Sequence, residues 1–262
     1  MRPPVKTVLY NARGEKVEEV TLPDVFRLPV RKDLIRRVYL SEFTMGLQPK
    51  GRDPMAGKRT SAESLGAHRG VSRVPRVKGS LRGAMVNMTR GGRLAHPPRV
   101  EKKIHEYVNK KEKKIGTMSA LAATTVPELV KERGHVFSAE ALPVVLEPEA
   151  LDVAGVKNAI SLLQAVGVYD DIMRARRRIR TRAGKGKRRG RRLKKPVSVL
   201  FILSEPNSPL AKAVKGLPGV TVASPELVSV LDLAPGGEPG RLTVIDKASL
   251  DILSARFRVD EI

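Results

Sequence analysis

The run from Lys50 to Arg99 sets the terms for any fold this chain can adopt, because neither a helical nor a strand period survives along it. Gly51, Gly57, Gly66, Gly70, Gly79, Gly83, Gly91 and Gly92 interrupt every regular element, and Pro54, Pro75, Pro97 and Pro98 restrict what is left. Its charge is one-sided. Lys50, Arg52, Lys58, Arg59, Arg69, Arg73, Arg76, Lys78, Arg82, Arg90, Arg93 and Arg99 stand against Asp53 and Glu63 alone, and no aromatic lies between Phe43 and Tyr107. A structureless insert this long inside a compact domain is either functional or disordered. Running out and back over roughly 25 residues each way, it reaches at most about 80 Å. No surface groove needs that much chain, whereas penetration into a large particle does.

The remaining sequence alternates strands with helices. Lys6–Tyr10 and Lys16–Leu22 read as a β-hairpin around Asn11–Gly14, and Arg31–Phe43 as a helix with Leu34, Ile35, Val38 and Tyr39 on one face. Beyond the arm, Val100–Lys114 reads as a mostly solvated helix, and Gly116–Leu129 as a small-residue segment suited to close helix packing. From Leu142–Leu146 onward the pattern is regular. A helix over Val156–Val166 and another beginning at Asp170 lead to the nearly all-apolar Val197–Leu203, which has the composition of a parallel strand covered on both faces. Ser208-Pro209 caps a helix, Val220–Ala223 is a strand, and Ser224-Pro225-Glu226 repeats the cap before Leu227–Leu231. Arg241–Ile245 is the last strand, and Asp246 caps a helix over Lys247–Phe257. The expected fold is α/β, a largely parallel sheet flanked by helices, with a long extended basic loop (46–100) inserted near the N-terminal third of a single domain.

A second basic block follows the helix at Asp170. Arg174, Arg176, Arg177, Arg178, Arg180, Arg182, Lys185, Lys187, Arg188, Arg189, Arg191, Arg192, Lys194 and Lys195 meet no acidic residue between 174 and 195. With a net charge of +23, the chain repels itself unless an anionic partner is present, and nucleic acid is the first candidate. Guanidinium forks bind phosphates bidentately, and glycine lets the backbone approach them. The lack of aromatics argues against stacking platforms for single strands and favours the backbone and shape of folded RNA. His68 and His96, set among these cations, belong to the same surface. The absence of cysteine excludes disulfides and thiolate metal sites. The start has no signal-peptide run and no apolar stretch approaches a membrane span, so a soluble intracellular chain with no membrane partner is expected.

No catalytic constellation emerges. Gly51 to Lys58 resembles a phosphate-binding loop, but five residues separate its glycines where four are required, and Arg59 stands where a hydroxyl should hold magnesium. Ala183–Lys187 follows no strand, so it reads as a flexible basic turn. Ser204–Asn207 ends a strand without a glycine-rich turn. His68, His96, His105 and His135 lack the spacing of zinc ligands, and His105 and His135 read as ordinary helix-end residues. Asp170 and Asp171 are adjacent on a helix, do not face one another, and suit its N-terminal turn. The expectation is a structural RNA-binding protein, not an enzyme, with no cofactor and no metal. A generic nucleic-acid-compacting protein and an RNA-modifying enzyme with basic tethers are the alternatives.

One resemblance is carried by long motifs. Thr60-Ser-Ala-Glu-Ser-Leu-Gly66 followed by Arg69-Gly-Val-Ser-Arg-Val-Pro-Arg-Val77, with Gly91-Gly-Arg93 and Ala95-His-Pro-Pro98, resembles the archaeal and eukaryotic form of the fourth large-subunit ribosomal protein family. The likeness continues through Ser119–Thr124 to the block at 174–195. It implies an α/β domain on the large ribosomal subunit whose loop threads through large-subunit ribosomal RNA to the peptide exit tunnel. There it would narrow the passage opposite a hairpin of the large-subunit protein numbered twenty-two. Neighbouring ribosomal proteins and the nascent peptide are the further partners implied. By that resemblance the tip falls in Gly66–Arg76, with Gly66, Arg69 and Arg73 facing the tunnel. Two departures stand out: a glycine-rich insertion of eukaryotic members is shortened here to Lys78–Leu81, and their long C-terminal extension is missing.

Overall fold

A computed structural model describes residues 3–258. In chain order its elements are β1 (Lys6–Tyr10), β2 (Lys16–Thr21), α1 (Lys32–Met45), β3 (Ala62–Glu63), β4 (Arg76–Val77), α2 (Lys110–Ala123) and α3 (Pro127–Glu132). There follow β5 (Val144–Leu146), α4 (Val156–Ala165), α5 (Tyr169–Arg177), β6 (Arg180–Thr181), β7 (Leu193–Lys194) and β8 (Leu200–Ile202). The chain continues with α6 (Pro209–Lys215), β9 (Thr221–Ala223), α7 (Val230–Leu233), β10 (Thr243–Asp246) and α8 (Lys247–Arg256). The chain divides into two compact units, one running to Phe43 and resuming at Glu106, the other spanning Thr44–His105.

The first unit is built on a six-stranded sheet in the order β2-β1-β5-β10-β8-β9. Only β1 and β2 pair antiparallel; every other neighbour is parallel. Strands buried on both faces carry apolar residues without alternation, and the two cores show why. Val144, Leu146, Phe201, Leu203 and Val244 face α4, α5 and α6. Val145, Leu200, Ile202 and Ile245, the intervening residues, face α1, α2, α7 and α8. The α/β class read from the pattern, a largely parallel sheet flanked by helices, is the one observed.

Three local expectations are corrected. Residues 103–109 form no regular element, and the helix after the arm is Lys110–Ala123, joining parts of two expected segments. Gly116 sits inside it because a Cβ there would lie 2.7 Å from Val38 Cγ2: contact with α1, not helix propensity, selects glycine. Ser224-Pro225-Glu226 starts no helix; α7 begins after Ser229, whose capping box is completed by Asp232. Asp246 precedes α8 but makes no cap bond. Its buried carboxylate accepts from Ser204 N at 3.2 Å and Ser204 Oγ at 2.5 Å, tying the ends of β8 and β10 together. The turn read at Ala183–Lys187 lies in the connection of a short hairpin, in which β6 and β7 pair antiparallel and Arg182 N donates to Arg192 O at 2.7 Å.

Arg241 locks the other end of the sheet. It is 2% exposed, and its guanidinium donates to Ser198 O at 2.8 Å, Asp232 O at 2.7 Å and Thr221 Oγ1 at 2.7 Å. Burial pushes it down to about 10 from the usual guanidinium value, so it remains charged near neutral pH.

Candidate nucleic-acid interface

Between Met45 and His105 regular structure is confined to the two-residue strands β3 and β4, paired Ala62 to Val77 and Glu63 to Arg76. With so little backbone ladder, side chains and glycines organise the rest. Ser64 Oγ donates to Arg73 O at 2.8 Å, closing the segment between the strands. Arg76 donates to Leu81 O and, at 3.1 Å, to Ser72 Oγ. It is half-buried, and these bonds hold it against its own loop. Between the strands, Gly66, His68 and Gly70 have φ of 82°, 60° and 72°. No atom lies within 4 Å of a Cβ built on either glycine. His68, Arg69 and Arg73 are exposed, as are Lys78, Arg82 and Arg90.

Farther from the strands, the outgoing and returning segments meet at Gly57 and Gly92. A Cβ on Gly57 would lie 2.4 Å from Gly92 C, so two glycines allow a backbone contact that any side chain would prevent. Beside this contact Arg52, Lys58, Arg93 and Arg99 line a cavity of about 210 Å³ together with Asp53. Asp53 pairs with Arg59, and that partner holds its carboxyl below the usual range. Among the described residues none of these four side chains makes a hydrogen bond or ion pair, although Arg52 helps Arg59 to lower the Asp53 carboxyl, so the cavity carries an excess of positive charge. Lys50 and His96 are exposed; His96 lies with Arg99 along an adjoining open hollow.

The second basic block lies in the first unit. Arg177, Arg178, Arg180 and Lys194 border an open groove with Ile179 and Pro196. Arg182, Lys185, Lys187, Arg188, Arg189, Arg191 and Arg192 are exposed on the β6–β7 hairpin and its turn. Arg174 differs. Its Nε donates to Asp171 Oδ1 at 2.7 Å and its Nη2 to Val197 O at 2.9 Å, so it belongs to the body.

Sequence reading missed what Asp171 does. It lies in the first turn of α5 as read, but its side chain is fully buried and receives Val136 N at 3.0 Å, Ser198 Oγ at 2.6 Å and Arg174. Its other partner is His135 Nδ1 at 3.0 Å, which makes His135 a buried partner and not an ordinary helix end. Burial alone would raise the Asp171 carboxyl, but hydrogen bonds from His135, Arg174 and Ser198 outweigh it and hold it well below the ordinary value. His135 is itself pushed down by burial, so near neutral pH its Nδ1–H donates and Nε2 is a bare acceptor. No spacing rule announces a pair 36 residues apart.

Among the described residues no group of three or more His, Cys, Asp or Glu could hold a metal ion, and no helix is long and apolar enough to cross a membrane. Residues 20–256 match the model of the Ribosomal protein L4/L1 family. The chain belongs to this family. The large ribosomal subunit protein uL4 of Aeropyrum pernix is 62% identical to it, covering 96% of this chain and 93% of that protein. The proteins of the same name from Sulfurisphaera tokodaii and Sulfolobus acidocaldarius are 53% and 51% identical; each covers 96% of this chain, and the match spans 95% of each. Membership makes the chain a structural ribosomal protein of the large subunit and not an enzyme.

Proposed function

We propose that the chain is held in the large subunit by large-subunit ribosomal RNA, which it contacts through two basic surfaces. The first is Lys50, Arg52, Lys58, Arg59, His68, Arg69, Arg73, Arg76, Lys78, Arg82, Arg90, Arg93, His96 and Arg99; the second is the block at 174–195. The observation that carries this reading is the cluster of Arg52, Lys58, Arg93 and Arg99, four cations around one cavity whose single carboxylate, Asp53, is paired with Arg59. Phosphates supply the missing counter-charge, and the scarcity of aromatics directs contacts to phosphate and sugar. The body packs against neighbouring ribosomal proteins in the cytoplasmic ribosome. The loop 46–100 extends through RNA, and its tip at Gly66–Arg76 reaches the peptide exit tunnel. Gly66, Arg69 and Arg73 face the nascent peptide there. Gly66 and Gly70, open on the side a Cβ would occupy, suit a tip that must stay slim.

Limited proteolysis tests this, with cut sites mapped for the chain alone, with large-subunit ribosomal RNA, and with equal-mass duplex DNA. Cuts between Lys58 and Arg93 and between Arg174 and Lys195 are expected to vanish with ribosomal RNA and persist with duplex. Equal protection by both would make these segments a generic polycation and remove support for the tunnel assignment.

A further inference from the structure

The end of α5 and the base of the β6–β7 hairpin flank an open hollow of about 520 Å³, lined by the cations Arg177, Arg178, Arg180 and Lys194 and by Ile179 and Pro196. No carboxylate lines it, and among the described residues none of the four cationic side chains makes a hydrogen bond or ion pair. The C-terminus of α5 accounts for part of this charge, since the unsatisfied carbonyls of a helix end favour a cation such as Arg177. It does not account for the hairpin. Arg180 and Lys194 stand directly opposite one another in the β6–β7 register. Residues so paired have Cβ atoms about 4.5–5.5 Å apart on one face, and like charges there weaken the pairing. The hairpin has little ladder to spare for that cost, because β6 and β7 are two residues each. Arg182 and Arg192 continue the same face, since Arg182 N donates to Arg192 O two residues farther along. Thr181 and Leu193 occupy the opposite face.

Two cations this close are stabilised by an anion between them, and four around one hollow call for more than one negative charge. We propose that the hollow seats two successive phosphates of one RNA strand at a sharp turn of its backbone, with Arg182 and Arg192 carrying the strand onward. A regular duplex spreads its phosphates over a convex surface, whereas a turning strand brings two of them together at a protruding corner. Phosphates so crowded repel one another. The forks of Arg177, Arg178 and Arg180 and the Lys194 ammonium supply the neutralising charge that a divalent cation would otherwise give. Ile179 and Pro196 offer apolar surface to the ribose between the two phosphates. This rests on the proposed RNA binding and refines it. The hairpin face that ends in the hollow reads backbone shape, while Arg188 and Arg189, exposed on the turn, add charge alone.

Two RNAs of equal length test this, one fully paired and one kinked by an internal loop, with binding of the full chain followed by filter retention across salt concentrations. Magnesium is left out so that no divalent ion replaces the four side chains. The natural chain should bind the kinked RNA about tenfold more tightly, as one gained charge-assisted contact predicts. Arg180→Gln with Lys194→Gln should remove that preference and lower the salt slope on kinked RNA by about two phosphate contacts. Arg188→Gln with Arg189→Gln, an equal loss of charge, should weaken both RNAs alike and keep the preference. All four substituted residues are exposed, and an unchanged melting temperature verifies that each variant folds. Equal affinity of the natural chain for the two RNAs, or the same loss of preference in both double variants, overturns the proposal. Protection of Arg174–Lys195 from proteolysis by ribosomal RNA is scored separately, so the broader reading can stand when this one fails.

Discussion

Replacing Asp171 by Asn should cost far more than its place in an Arg-rich helix suggests. The carboxylate is fully buried and receives Val136 N, Ser198 Oγ, His135 Nδ1 and two donors of Arg174. An amide keeps the shape but puts an NH₂ among donors and leaves the largely buried Arg174 without its counter-charge. Breaking a buried ion pair from one side costs about 3–5 kcal/mol. In a domain of this size each kcal/mol shifts the melting temperature by about 2–4 °C, so a fall of roughly 6–20 °C is expected by circular dichroism. Asp170→Asn, exposed one residue earlier, should change stability by less than about 0.5 kcal/mol. The pH dependence follows from the lowered carboxyl. Its stabilisation is complete well above the unfolded value near 3.8 and is lost as pH falls below that toward the folded value. The gap between natural chain and variant should not narrow between pH 7 and pH 5, since Asp171 also favours the charged form of His135, and should close only in stronger acid. A gap under about 1 kcal/mol at pH 7, or one that closes already by pH 5, would refute this account of the node.

Arg241→Met should destabilise by about 3 kcal/mol or more, because the carbonyls of Ser198 and Asp232 lose their donors while staying buried; the urea midpoint should fall with the slope unchanged. Gly116→Ala should cost about 1 kcal/mol despite the better helix former, since its Cβ would meet Val38 Cγ2 at 2.7 Å. In a Val38→Ala background the same change should stabilise, which a double-mutant cycle reads directly. Arg52→Gln with Arg93→Gln should lower the salt dependence of ribosomal-RNA binding by about two phosphate contacts, measured by filter binding across salt concentrations, while leaving the melting temperature of the free chain unchanged.

Much of this molecule is legible in its sequence because the physics involved is local. The apolar run around Leu200–Ile202 and the alternation of strands with helices specify a parallel sheet with both faces covered, whatever the details of packing. Ser208-Pro209 caps α6 as its chemistry dictates, with Ser208 Oγ accepting from Ala211 N at 3.2 Å. Glycine, proline and unbalanced arginine set 50–99 and 174–195 apart from the rest of the chain, since charge and backbone freedom are properties of composition.

Tertiary structure decided what depends on residues distant in the chain. Gly116 stays in the helix because Val38, on another helix, leaves no room for a side chain. Asp246 turns from its expected cap to Ser204 because two parallel strands end side by side. Asp171, read alone as an N-terminal-turn charge, becomes a buried carboxylate with several donors because α5 brings it to His135 and Ser198. Arg133 and His135 share a cavity only because the chain near Pro196 and Pro235–Pro239 folds over them. A sequence displays the charge of each such residue, but burial and the partner supplied by a remote segment determine what that charge does.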